Sequence, residues 1–286
     1  MFSFNKTKCA HASLKSILTV AISCAFSLHT LATPIVFSDA DDDISDTVAE
    51  FQQALGNPNN GNAAGPFAEG RRQINWDAGI VPFEMPNDFF NNTDFPPTRG
   101  AVFSNNYNDA FRVSNDGTDN EFDSFNADNP EQFSTFSAPR LFAPIGTTVF
   151  DVNFFVPASD APAAVSGFGA IFSDVDLFGS TIVELFDIDH NLLSSHTVEA
   201  NSNGLSFLGV TFDDIFAPIF SVTITAGNTD IGSGLADDPL NGIDLVVLDD
   251  LLYSEPQAVS EPGTLALLTA SLFTLGWRRK KALLNR

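Results

Sequence analysis

Asp249 and Asp250 stand side by side at the end of an apolar run, and their position raises the first chemical question of this chain. By strand alternation Leu245, Val247, Asp249 and Leu251 point one way, and Val246, Leu248, Asp250 and Leu252 the other. Both faces are apolar, which predicts a central strand covered on both sides. A buried carboxylate without a partner costs several kcal/mol or gives up its charge. The partners available between positions 33 and 260 are Arg71, Arg72, Arg99, Arg112 and Arg140, because that stretch has no lysine, or else a bound cation. Ca²⁺ suits the composition, with 27 Asp and 8 Glu in the same stretch, since hard cations take oxygen ligands. The alternative is that the two aspartates simply end the strand in solvent.

Other constellations are thinner. Asp187-x-Asp189-x-Asn191 imitates the opening of a calcium loop, but Leu192 fills the position that needs glycine and Val198 the one that needs a bidentate Glu. The spacing instead predicts a hairpin turn. His190 and His196 are the histidines of the central stretch, which has no cysteine, no Gly-x-Ser-x-Gly and no His-Glu-x-x-His. No catalytic residues are predicted. A glycosidase carboxylate pair is the enzymatic alternative, because sequence spacing does not report the separation that such a mechanism needs.

These residues sit in a chain of 286 with a net charge of −23. Lys6, Lys8 and Lys15 precede position 33, and Arg278, Arg279, Lys280, Lys281 and Arg286 follow position 260. Between them lie five arginines against 35 acidic residues, a net −30. A body so negative repels phosphate, which excludes nucleic acid as a partner. Residues 1–32 read as a signal peptide: a basic start, an apolar run over 17–28, and Thr30-Leu31-Ala32 before the cut. A lipobox at Ala21-Ile22-Ser23-Cys24 lacks the usual aliphatic residue three places before the cysteine. Cleavage after Ala32 removes Cys9 and Cys24, so the exported body carries no thiol.

The last 27 residues, 260–286, have three parts. Ser260-Glu261-Pro262 comes first, then the apolar run 264–277, then Arg278-Arg279-Lys280-Lys281. An apolar run ending in cations is a stop-transfer pattern with its basic end on the cytoplasmic side. At 14 residues the run spans about 21 Å as a helix. Trp277 and snorkelling basic side chains help it bridge a thicker hydrocarbon core. This arrangement resembles the PEP-CTERM sorting signal of exosortase-processed bacterial proteins, with Ser260 where the motif's first proline stands. The resemblance implies exosortase and the membrane as partners, a Gram-negative envelope, and an association with exopolysaccharide at the cell surface or in the extracellular matrix.

The body, 33–259, must position whatever site exists. Ile44, Val48, Phe51 and Leu55 predict a short helix at the domain's edge, with Asp42 or Asp43 as cap and Gly56 as stop. Residues 56–65 form a loop. Ten short runs rich in Val, Ile, Phe and Thr predict strands at 73–76, 101–103, 111–113, 148–156, 165–172, 181–186, 194–199, 206–210, 221–225 and 242–252. Residues 122–144 read as a long loop across the domain. The expected fold is mainly β, an antiparallel β-sandwich of jelly-roll type. Gly70-Arg71-Arg72-Gln73-Ile74-Asn75-Trp76-Asp77 and Asp249-Asp250-Leu251-Leu252-Tyr253 resemble motifs of PEP-CTERM body domains. So do Arg99-Gly100-Ala101-Val102-Phe103-Ser104 and Gly204-Leu205-Ser206-Phe207-Leu208-Gly209-Val210. Those bodies are similar to galactose-binding-like jelly rolls, a likeness of fold.

The expected function is that of a non-catalytic exported surface or matrix protein, with carbohydrate binding through loop aromatics as one version. Trp76 and Tyr107 are the candidate contacts, with Trp76 expected in the core. A calcium-stabilised structural component and a glycoside hydrolase are the alternatives.

Overall fold

Short β-branched and aromatic runs do build the body. The structure, a computed structural model, describes residues 33–259 apart from 42, 79–82, 86–98, 106–110, 116–120 and 214–218. The predicted signal peptide, the sorting tail with its apolar run, and Tyr107 lie outside the described residues. Among the described residues no helix is long and apolar enough to cross a membrane.

The chain opens with β1 (Pro34–Asp39) and α1 (Ser45–Leu55). Then come β2 (Arg71–Ile74), β3 (Glu84–Met85), β4 (Ala101–Ser104), β5 (Phe111–Val113), β6 (Phe142–Pro144), β7 (Val149–Phe154) and β8 (Ala163–Ala164). The second half holds β9 (Gly167–Val175), β10 (Ile182–Phe186), β11 (Leu192–Thr197), β12 (Asn201–Phe212), β13 (Ser221–Thr225), β14 (Val247–Ser254) and β15 (Gln257–Ala258). The larger sheet runs β1-β12-β9-β14-β6-β5-β3, with β2 also paired to β14. The smaller runs β11-β10-β13-β7-β4, and β15 pairs with β8. Every ladder between these strands is antiparallel.

Alternation explains which side chains meet. Phe150, Val152 and Phe154 of β7 and Val183 and Leu185 of β10 share one core with Phe168, Ala170 and Phe172 of β9 and Leu208 and Val210 of β12. One apolar layer between two sheets is the arrangement of a β-sandwich.

The helix forms as its spacing predicts, with Val48, Phe51 and Leu55 buried. Ile44 takes the N-cap position without a side-chain cap, while Asp43 accepts a hydrogen bond from the Ser45 N–H at 3.0 Å. Its position corrects the expectation. Rather than lying at an edge, α1 lies on the outer face of the larger sheet, packing on Ile171 of β9, Phe207 of β12 and Leu252 of β14. Two glycines make that close approach possible: a Cβ on Gly169 or Gly209 would come within 2.7 Å of the Phe51 ring. This second apolar layer is why β9 is buried along all nine of its residues.

The strand carrying Asp249 and Asp250 begins at Val247 and is central, as expected. Its alternation is broken, however. Leu248 pairs with Phe172 and Leu251 with Ala170 of β9, so a β-bulge falls on Asp249 and Asp250. Leu248 and Leu251 consequently enter the same core, and Leu251 does not share a face with Val247.

Candidate functional site

The bulge turns two adjacent carboxylates toward one set of donors. Asp249 Oδ2 accepts hydrogen bonds from the Phe136 N–H at 2.6 Å and the Ser137 N–H at 3.2 Å. Ser137 Oγ lies 3.0 Å from Asp249 Oδ1 and 2.7 Å from Asp250 Oδ1, and Gln73 Nε2 donates to Asp250 Oδ2. Both aspartates are fully buried. Burial, then the neighbouring Asp250 charge and the hydrogen bond to it, push Asp249 up to about 9. That shift favours the protonated form of Asp249 at neutral pH. Neither belongs to a group of three metal-ligating side chains among the described residues.

The arginines serve other groups. Arg72 Nε and Nη2 each donate at 2.7 Å to Glu255, a buried bidentate pair, and Arg72 Nη1 donates to the Gly61 and Ala63 carbonyls. Arg71 Nη1 donates to Gly56 O and Asn57 Oδ1, and Arg99 Nη1 to Gln73 O. Arg140 Nη1 donates to Trp76 O and Ala78 O, and Arg112 meets Glu84 at 3.3 Å. The acidic pair is held by backbone and neutral side chains, and its complete burial corrects the alternative that the two aspartates end the strand in solvent.

A second acidic group assembles where β9 ends and the segment before β14 passes over it. Asp174, Asp176 and Asp237 each place a carboxylate oxygen within 4.8 Å of the others'. The adjacency follows from the ladder, in which Ser173 pairs with Val247. Asp244 organises the turn: its two oxygens accept from the Asp176 and Leu177 N–H groups at 3.2 and 3.1 Å. Asp237 Oδ1 accepts from the Leu245 N–H at 2.8 Å. Asp174 Oδ1 accepts from the Asn203 N–H at 2.7 Å, but its buried Oδ2 has no donor among the described residues. Asp174 is 1 % exposed and has φ 66°, a left-handed backbone uncommon outside glycine. Burial, then the charges of Asp176 and Asp244, push Asp174 up to about 7. Burial and a hydrogen bond with Asp176 likewise raise Asp237.

Sequence reasoning missed this group because Asp174 and Asp237 lie far apart in the chain. The available signal was Asp174-x-Asp176 at the end of a long apolar strand. The remaining candidates fall elsewhere. Asp187 Oδ1 accepts from the Asp189 and Asn191 N–H groups, closing the β10–β11 hairpin turn as predicted. His190 sits in that turn, and His196 lies on β11, where burial lowers its pKa. Trp76 is 1 % exposed, stacks on Phe142 at 4.1 Å, and donates Nε1–H to the Asp249 carbonyl at 2.8 Å. It is a core residue.

A family model for the PEP-CTERM protein-sorting motif matches residues 258–280. The match takes in Ser260, Glu261, Pro262, Arg278, Arg279 and Lys280, with Lys281 just beyond. Such motifs are generally recognised by exosortase, a membrane enzyme, and imply an exported protein processed at the membrane for surface display. No curated protein and no solved structure matches the chain.

Proposed function

We propose that this chain is a non-catalytic component of the bacterial cell surface or extracellular matrix, in which a galactose-binding-like jelly-roll body is delivered by a tail that exosortase processes. The observation that carries the reading is the sorting motif at residues 258–280, which begins as the body ends. β15 closes on β8 at Ala258, and the Val259 N–H donates to the Pro162 carbonyl at 3.3 Å. A folded, hydrogen-bonded terminus followed at once by the motif suits a cargo that is cut free of its anchor. The acidic body suits an exopolysaccharide layer crosslinked by divalent cations better than a nucleic-acid or anionic-lipid partner.

A non-catalytic reading is supported by what surrounds the acids. Asp249 and Asp250 are sealed from solvent, so no glycoside reaches them. Carbohydrate binding is the second reading. Trp76 is withdrawn from it by burial, while Phe178, 89 % exposed on the turn after β9, favours it.

Fractionation of cells expressing the full chain tests the proposal. The processed body is expected at the surface or in the medium, and substitution of Glu261 and Pro262 by alanine is expected to leave the uncut chain in the membrane. Equal release from a host lacking exosortase would contradict it. A glycan array gives saturable binding that Phe178→Ala removes if the carbohydrate version holds, and no binding if the role is structural.

A further inference from the structure

We propose that Asp174, Asp176 and Asp237 form a binding site for one Ca²⁺ ion per chain. Two independent observations meet there. The first is spacing: oxygens about 2.3–2.6 Å from a calcium ion lie at most about 4.6–5.2 Å apart across it, and the three carboxylates fall within 4.8 Å. The second is the orphaned Asp174 Oδ2, buried on a residue that is 99 % enclosed, with no donor among the described residues and with carboxylates as its charged neighbours. A buried carboxylate oxygen normally finds a hydrogen bond, because leaving one unmade costs more than the bond itself contributes. Here the surroundings supply more acceptors and no cation, which is the wrong chemistry for anything except a proton or a metal.

The ligand type selects the ion. An all-carboxylate site without imidazole or thiolate favours Ca²⁺ over zinc or copper. Calcium's flexible coordination also tolerates a site in which Asp174 is buried while Asp176 and Asp237 are half-buried and open to water ligands. Asp244, holding the Asp176 and Leu177 amides, positions the turn without itself joining the three. The left-handed backbone at Asp174 interrupts regular strand geometry one residue before the end of β9. Bound calcium would tie the end of β9 to the segment 235–246, two stretches far apart in sequence. The inference stands on the body alone and does not depend on the sorting reading.

Thermal melting of the full chain in detergent, stripped of metal and then titrated with Ca²⁺ or Mg²⁺, tests it. Calcium is expected to raise Tm by about 5–10 °C at a hundredfold excess over Kd, with Kd in the range of about 10⁻⁴–10⁻³ M found for extracellular sites. Magnesium should do much less. Asp174→Asn and Asp237→Asn should each abolish the shift, while Asp249→Asn leaves it intact. Should Asp174→Asn fail to fold, the half-buried Asp237→Asn and Asp176→Asn decide alone. No shift in wild type at 10 mM Ca²⁺ (about ten times the weakest expected Kd), or a shift that survives Asp237→Asn, overturns the proposal.

Discussion

The two acidic groups on β14 and at the end of β9 present the same problem and meet it differently. Each crowds aspartates around at least one buried carboxyl group, and in each burial raises that group's pKa. Around Asp249 and Asp250 the protein supplies two backbone amides, a hydroxyl and a carboxamide, and one proton completes the set. Around Asp174 it supplies one amide and then more carboxylates. The difference teaches that acidic density alone does not make a cation site. What counts is whether the oxygens are already occupied by donors. A saturated pair is architecture, whereas a pair short of donors has room for an ion.

The sharpest way to break the comparison is to empty the saturated side. Asp249→Ala leaves the Phe136 and Ser137 amides without an acceptor, which should cost about 2–6 kcal/mol at about 1–3 kcal/mol per orphaned donor. Denaturant melts should show that loss equally with and without calcium. A loss that calcium reverses would mean that Asp249 holds the ion.

The next effect is on pH. An unfolded aspartate titrates near 3.9, while folded Asp249 is raised to about 9, so the native chain keeps a proton that the unfolded chain has lost. That stabilisation is complete below about pH 4 and fades as pH rises toward about 9. Asp174, raised to about 7, adds in the same direction. Metal-free Tm should therefore fall between about pH 5 and pH 8, and Asp249→Asn, which replaces the protonated acid by its neutral isostere, should flatten the slope. An unchanged slope in that variant would contradict a proton held on Asp249.

A smaller and opposite effect is expected on the other side. Asp174→Asn puts an NH₂ where Oδ2 lacks a donor and keeps an acceptor for the Asn203 N–H. Metal-free, it should be as stable as wild type or about 1 kcal/mol more so. A clear destabilisation would mean that Oδ2 does have a donor. Ser137→Ala, which removes one hydroxyl from a cluster that retains its amides, should cost about 0.5–1.5 kcal/mol in the same denaturant melts.

Much of this architecture was legible. The helical spacing of Val48, Phe51 and Leu55 reports burial directly, and Asp187 to Asn191 reads as a turn because its side chains satisfy their own backbone. The place of α1 was not legible, since Gly169 and Gly209 signal room for Phe51 only once β9 and β12 are known to be neighbours. The bulge on Asp249 and Asp250 was hidden for a related reason: alternation predicts the face of a regular strand, and the extra residue appears only in pairing with β9. β1 was missed because Pro34 begins a half-exposed edge strand, with little apolar signal beyond Ile35, Val36 and Phe37. The three-aspartate group depends wholly on tertiary adjacency, which neither composition nor local pattern reports.

The most direct measurement is a crystal structure from calcium-saturated crystals of the protein. The account predicts one calcium peak bonded to Asp174 Oδ2 and to the Asp176 and Asp237 carboxylates, with Asp249 and Asp250 still bound to Phe136 and Ser137. A calcium ion between Asp249 and Asp250, or none beside Asp174 at saturating calcium, would contradict it.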